Sequence, residues 1–466
     1  MTKTVRWVAV VVATAMLCGS MLAVLAGCDG DGGGGGGGFI DPIPQTKVDL
    51  TPTEELVIYL PRYKYFNPIF SRAVSKFIEK YHDVNVTVTQ IGEADEYPSS
   101  TSAYQQRVNS ELMANSGPDI ILTQYFEDLY KTMDSGMFLN LTDIISQDDE
   151  FSMAGCNEVV MDVGVYKGGR YVVPLTYTIP IMLGEQGVLD AVGFDASQNT
   201  DFISFVNQLT ASFPKAAENA AFNRMTNFNA YNYFDYSGVP LVDYERKQAL
   251  PDEESFKTLC DSYKAHWEAD KVDGVFNNGY YSSLVDGSHV LMFYWDVSLF
   301  VDWGWLRDYE YAPVLAALHA MDGGLVATVS QSAAIRAGSP NQLNAWNFIK
   351  ILLSETIQYC KPNTHDAISR HGFPVNKTAF DRELDGILKY QETFSAFEDD
   401  FTVSAVTAEE KAPYAALHRS ITSCKLENST LADFFFENMT PYFEEQKSYD
   451  ECVTELMGKL RLYMSE

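Results

Sequence analysis

Basic residues are scarce in this chain: 33 Lys and Arg stand against 63 Asp and Glu among 466 residues, a formal net charge of −30. Such a surface repels phosphate backbones, which excludes nucleic acid and disfavours strongly anionic ligands. Catalytic signatures are missing too. There is no Walker A loop, no GxGxxG after an apolar strand, no GxSxG elbow and no HExxH. No motif names an enzyme class, and no cofactor is expected. Cysteines are few and form no CxxC pair, so zinc-ribbon and thioredoxin-like chemistry find no support. His365, Asp366 and His371 stand close together beside Pro362 and Pro374, but imidazoles in such a loop read as surface or capping groups, and no metal site is expected.

One apolar run, Trp7 to Leu25, approaches the roughly 20 residues that cross a bilayer. Lys3 and Arg6 precede it, as in a signal peptide. Leu25-Ala26-Gly27-Cys28 looks like a bacterial lipobox, which implies cleavage after residue 27 and lipid on Cys28. Asp29 to Gly38, with seven consecutive glycines, reads as a flexible tether, so residues 28–52 carry no fold. Acyl chains on Cys28 would hold the protein at the outer face of the cytoplasmic membrane, at the cell surface or in the periplasm. Loss of residues 1–27 leaves a charge of −32. Cys156, Cys260, Cys360, Cys424 and Cys452 then remain, an odd number that permits one or two disulfides of unspecified pairing.

The folded part begins near Thr53. Leu56 to Leu60 is a continuous apolar run fit for a strand buried on both faces. Asn67 and Pro68 then open a helix with Phe70, Ala73, Val74, Phe77, Ile78 and Tyr81 on one face. Val84, Val86 and Val88 alternate with polar residues as a second strand, Tyr104, Val108 and Leu112 mark a helix, and Ile120 to Leu122 is a third strand. Residues 127–135 read as a helix closed by Gly136. This alternation implies an α/β class with a largely parallel sheet, whose ligand loops lie beyond the carboxyl ends of the strands, at 62–66 and 123–126. The length exceeds the ~250 to 300 residues at which single cores split, so two lobes are expected.

Gly164 to Leu183 is the organising stretch. A Gly-Gly turn should join two short strands, after which Pro174 and Pro180 withhold donors and bar a regular helix or central strand, giving a crossover between lobes. Beyond it Phe202, Phe205, Val206 and Leu209, and then Phe256, Leu259, Tyr263 and Trp267, mark helices. Between them, Asn227 to Tyr236 alternates rings and amides. That pattern suits a sugar, whose C–H faces stack on rings while amides bond its hydroxyls, and it equally suits an aromatic contact between helices.

Gly168-Gly169-Arg170-Tyr171-Val172-Val173-Pro174 and its apolar continuation resemble the first hinge of the family 1 extracellular solute-binding proteins of ABC importers, the maltose-binding-protein-like group. Phe77 to Tyr81, Asn115 to Leu122, Ser135 to Ile145, the strand Val290 to Phe300 approached through Asp286-Gly287-Ser288, Val329 to Ile335, Ala345 to Lys350 and Gly372 to Asn376 follow in that family's order. The chain departs from the pattern after the first hinge, where Gly184-Glu185-Gln186-Gly187 replaces the usual Tyr-Asn-Lys-Asp.

The resemblance implies a two-lobed, type II periplasmic-binding-protein-like α/β fold, each lobe a mixed, mainly parallel sheet flanked by helices. The first lobe would span 53–173 plus 290–327 and the second 174–289 plus 328–466, with crossings near Leu175 to Thr178, Phe293 to Trp295 and Val329 to Ser332. It also implies a monomeric, non-catalytic protein that closes on a solute and passes it to an ABC permease. A mono- or oligosaccharide is the expected ligand, given 13% aromatic residues. The expected contacts are Tyr65, Gln124 and Tyr125 from their loops, Tyr177 and Gln331 from the hinges, Trp295 and Asp296 from the return strand, and Tyr233 from the ring-and-amide stretch. Other readings are a cationic ligand such as a polyamine or basic peptide, a surface glycan-degrading enzyme using two carboxylates, and a sensory receptor component.

Overall fold

The computed structural model describes residues 47–62, 68–92, 99–126, 128–212, 225–226, 230–251, 254–270, 284–285, 290–294, 299–361, 372–389, 392–396 and 399–465. All of them fall in one compact unit, Ile40–Glu466. The chain opens with β1 (Glu55–Pro61), α1 (Pro68–Lys80), β2 (Asn85–Ile91), α2 (Ser99–Met113) and β3 (Ile120–Leu122), where the apolar runs predict them. A 3-10 turn (Thr123–Tyr125), α3 (Leu129–Asp134), α4 (Thr142–Ser146) and α5 (Glu158–Asp162) lead to the hairpin β4 (Val165–Tyr166) and β5 (Gly169–Arg170), then β6 (Val173–Thr178). That hairpin turns through Lys167 and Gly168, both at positive φ, as a two-residue primed turn requires.

A second body follows: β7 (Ile181–Glu185), α6 (Gln186–Val192), α7 (Phe202–Ser212), β8 (Met225–Thr226), α8 (Ala230–Ser237), β9 (Val242–Asp243), β10 (Gln248–Ala249), α9 (Glu254–Asp270), β11 (Leu291–Tyr294), α10 (Leu299–Asp308) and β12 (Pro313–Ala317). The chain then builds β13 (Leu325–Ile335), α11 (Gln342–Leu352), α12 (Glu355–Gln358), β14 (Phe373–Pro374), α13 (Lys377–Ile387), the hairpin β15 (Glu392–Ala396) and β16 (Asp399–Val403), α14 (Ala408–Arg419), β17 (Ile421–Leu426), α15 (Ser429–Phe443) and α16 (Tyr449–Ser465).

Two main sheets result. The larger runs β14-β6-β13-β3-β1-β2, with β17 also paired to β13, and the smaller runs β12-β7-β11-β8. β1 pairs in parallel with β2 and β3, and β17 with β13. β13 meets β3 and β6 antiparallel, and β7 meets β11 and β12 antiparallel. Both sheets are therefore mixed: β13 runs against β3 and β6 but with β17, and in the smaller sheet β7 runs against β11 and β12 while β11 pairs in parallel with β8.

The first passage between sheets lies at Ile179-Pro180, between β6 and β7, one step past the expected Leu175 to Thr178. The return is not at Phe293. β11 stays in the small sheet beside β7, and the chain returns through residues 318–324 between β12 and β13. Val329 to Ser332 is no crossing either but the middle of β13, an 11-residue strand. The third passage follows β17, since α15 and α16 pack in the second core. β11 and β12 thus belong with the small sheet, and β13, β14 and β17 with the large one, whereas the expected grouping put 290–327 in the first lobe and 328–466 in the second. Apolar runs announce a strand without naming its neighbour.

β6 also forms despite Pro174. That residue sits at the strand's start, where β14 reaches only Thr176 and Tyr177 and where β13 shifts register opposite it.

Two hydrophobic cores form, and the small sheet lies between them: Ile181, Leu183, Met292 and Tyr294 face the core of the large sheet, while Met182, Leu291 and Phe293 face the second. In the larger body, Phe77 of α1 meets Phe348 of α11 with ring centroids 5.7 Å apart, and the buried Trp346 donates to Asp148 at 2.7 Å. A fully buried carboxylate ties this body together: Asp119 accepts from Val57 N (2.7 Å), Ser339 Oγ (2.7 Å) and Asn341 Nδ2 (3.0 Å), with Arg336 3.7 Å away. In the smaller body Phe234 stacks on Phe435 at 4.8 Å and Tyr263 meets Phe443 edge-on at 4.9 Å. Burying each such ring contributes about 1.5–3 kcal/mol.

Among the described residues Cys156, Cys260, Cys360, Cys424 and Cys452 are free thiols, so the disulfides that an extracellular site would allow are not formed between them. Burial pushes the Cys156 and Cys424 thiols up to about 11 and about 12, away from reactivity.

Candidate functional site

The middle of β13 gathers the polar groups of the large sheet. Gln124 stands in the 3-10 turn at the carboxyl end of β3, and its Oε1 accepts from Ser332 N at 3.4 Å. Beside it the hydroxyls of Thr123 and Ser332 lie 2.5 Å apart, and those of Thr176 and Ser330 2.8 Å apart. Gln331, between the two serines, is buried. The structure thus brings Gln124 and Gln331 to one strip of sheet.

Tyr177 also lies on this strip, but it turns away from solvent. Its ring packs on Phe373 (5.8 Å), and its hydroxyl lies 3.2 Å from His418 Nδ1. It is a core residue, because β6 is covered on that face by α14 and the Phe373 segment. Tyr125 contributes backbone to the turn and Tyr233 lies in α8; their side chains lie outside the described set. Tyr65, Trp295, Asp296, Cys28 and the His365 to His371 cluster also lie outside the described residues. In the ring-and-amide stretch, Phe234 and Tyr236 serve helix and sheet contacts, Tyr236 stacking on Phe293 at 5.7 Å.

A second set of groups escapes sequence reasoning altogether. Asp128 caps α3, its Oδ1 accepting from Lys131 N at 3.0 Å, while its Oδ2 accepts from the hydroxyl of Tyr463 in the last helix. Tyr463 and Tyr244 place their hydroxyls 3.2 Å apart, and Asn428 Nδ2 donates to Tyr244 at 2.7 Å. Tyr130 stacks on Tyr244 at 4.4 Å, and the Lys131 ammonium sits 3.8 Å above the Tyr463 ring. Tyr166 reaches the Tyr244 carbonyl (3.3 Å) and Asp134 (3.4 Å). Asp134 in turn pairs with Lys167 and, at 3.5 Å, with Lys247.

Burial first, and then neighbouring acids such as Asp128, raise the phenols: Tyr130 to about 12, and Tyr166, Tyr244 and Tyr463 further still. All four are neutral at physiological pH. Burial opposes ionisation of Asp134, but the Lys167 and Lys247 bonds outweigh it and hold the carboxyl below its usual range. Near the return strand the Tyr294 hydroxyl donates to Asp302, whose pKa burial raises to about 6 against that bond.

The arrangement offers hydroxyls, amides and rings that hold neutral polar groups. Among the described residues no group of three or more His, Cys, Asp or Glu is placed to hold a metal. No described helix is long and apolar enough to cross a membrane.

No protein-family profile matches the chain, and no curated protein matches its sequence. Solved structures do match its fold. The sugar-binding protein MalE from the phytopathogen Xanthomonas citri aligns with a TM-score of 0.63 at 12% identity, over 88% of this chain and 97% of its own. An ABC substrate-binding protein from Listeria monocytogenes in complex with cycloalternan gives 0.58 at 10%, over 88% and 99%. An extracellular solute-binding protein family 1 member from Alicyclobacillus acidocaldarius gives 0.53 at 14%, over 90% and 100%. The chain has the α/β fold of MalE-like, periplasmic-binding-protein-like proteins. These structural neighbours are binding proteins rather than enzymes.

Proposed function

We propose that this protein is a solute-binding protein that captures a mono- or oligosaccharide between its two bodies and delivers it to an ABC permease. The observation that carries the reading is the architecture: two sheets joined by three chain passages, in a fold shared along nearly the whole chain with proteins solved in complex with sugars. Two sheets joined only by short passages would allow hinge closure, and a solute favours closure by binding the closed arrangement better. Gln124 and Gln331 would bond hydroxyls, and Tyr65, Tyr125, Tyr233, Trp295 and Asp296 would complete the site. The lipid on Cys28 would keep the protein at the outer membrane face, near its permease.

Thermal unfolding against sugars, amino acids, polyamines and short peptides tests the reading. A solute at a hundred times its dissociation constant stabilises the fold by about 2.7 kcal/mol. A rise in midpoint with one saccharide, lost in Trp295→Ala, is expected. A rise with a polyamine alone, or turnover of a glycan by the purified protein, would overturn it.

A further inference from the structure

We infer that the Tyr244 cluster is a built-in latch that holds the two bodies together without help from a solute. This rests on the reading of the bodies as closing lobes. Tyr244, in the turn between β9 and β10, packs against both hydrophobic cores. From the large body Tyr130 stacks on its ring, and Asp128 takes the hydroxyl of Tyr463, 335 residues away at the far end of the chain. From the small body Asn428 and Tyr463 meet its hydroxyl. At the edge, Lys247 of the small body reaches Asp134 of the large one.

Every one of these bonds joins two protein groups, so their free energy does not depend on a ligand. Where a solute alone bridges two lobes, closure follows binding. Here the bonds bias closure beforehand. The acceptor is also fixed in advance: Asp128 is held on α3 by the cap to Lys131 N, so Tyr463 meets an already oriented carboxylate. A phenol bonded to a half-buried carboxylate is a charge-assisted hydrogen bond, stronger than a neutral one.

Two consequences follow. A solute that binds the closed arrangement gains affinity in proportion to how far the latch favours closure, until the closed state dominates. Its entry is slowed, because the latch must open first.

Small-angle X-ray scattering of the purified protein, with no sugar added, tests this. Wild type should scatter as the compact arrangement. Tyr463→Phe with Asp128→Asn keeps the ring contact and the helix cap, since Asn caps as well as Asp, and removes the charged bond. Its closed-to-open ratio should fall roughly tenfold or more, read as a larger radius of gyration with an unchanged far-ultraviolet dichroism spectrum. Lys247→Gln, a half-exposed position whose loss spares both cores, should shift the curve in the same direction by less. A wild type that scatters as an open molecule, or variants as compact as wild type, would overturn the latch. Since no ligand enters the experiment, failure here is separate from failure of the saccharide screen.

Discussion

Acidification below about pH 6.5 should weaken this protein through one buried histidine. His418 on α14 is buried among Phe373, Phe380 and Tyr414, with ring centroids 4.3, 4.5 and 4.9 Å away. Its Nδ1 lies 3.2 Å from the Tyr177 hydroxyl, and its Nε2 has no hydrogen-bond partner among the described residues. Removal from water lowers its pKa from 6.5 to about 3. The folded chain therefore keeps the ring neutral, while the unfolded chain takes up a proton below about pH 6.5. The unfolded state binds more protons, so stability is present above that value and is lost progressively as pH falls toward the folded pKa. At about 1.4 kcal/mol per pH unit, descent to about pH 5 removes roughly 2 kcal/mol.

His418→Phe keeps the aromatic packing and deletes the titration. At about pH 7.5 it should cost about 1 kcal/mol, the bond to Tyr177. At about pH 5 the order should reverse, with the variant the more stable by roughly 1 kcal/mol. Urea unfolding of both proteins at the two pH values measures this, and the difference between them cancels the contribution of the many acidic groups. Parallel losses in variant and wild type would refute the reasoning, since the imidazole would then protonate inside the fold without penalty.

Other substitutions probe other parts of the fold. Asp119→Ala should strand the backbone N–H of Val57, the side chains of Ser339 and Asn341, and the guanidinium of Arg336, lowering stability by about 3–5 kcal/mol in urea unfolding. Gly372 sits at φ +112, where an added Cβ would meet the Tyr177 carbonyl oxygen at 2.5 Å. Gly372→Ala should therefore cost about 1–3 kcal/mol, read as a lower thermal midpoint. Cys28→Ser should move the protein from the membrane fraction to the soluble one, because a chain without acyl groups loses its anchor; retention in the membrane would count against lipidation.

Local elements were legible because each is written in a short window. Continuous apolar residues specify β1 and β3, and three-and-four spacing specifies α1, α7 and α9. The β4–β5 hairpin was legible from Gly168 and Gly169, but its turn residues are Lys167 and Gly168, and Gly169 opens β5. What a window cannot hold is the choice of partner. β11 reads as an apolar strand and Val329 to Ser332 as a crossing, and only packing decides that β11 joins β7 and that the crossing segment is the middle of a strand joining β3 and β6. The proline rule likewise failed for β6, because a short neighbour and a register shift left room for Pro174.

The candidate site divides in the same way. Gln124 was found from its place after a strand, which the α/β rule ties to ligand loops. Tyr177 looked equally available from its hinge position, yet α14 and Phe373 arrive from more than 190 residues away to cover it. The Asp128, Tyr244 and Tyr463 cluster carried no signal, its members being ordinary cap, turn and helix residues in three distant segments. Periodicity and capping are properties of neighbours in the chain, and they set where strands and helices begin and end. Which surfaces meet is decided by burial of both cores at once. Hence the sequence alone determined the α/β class and most elements, while the tertiary structure decided the strand neighbours, the passages between sheets and the cluster that ties the two bodies together.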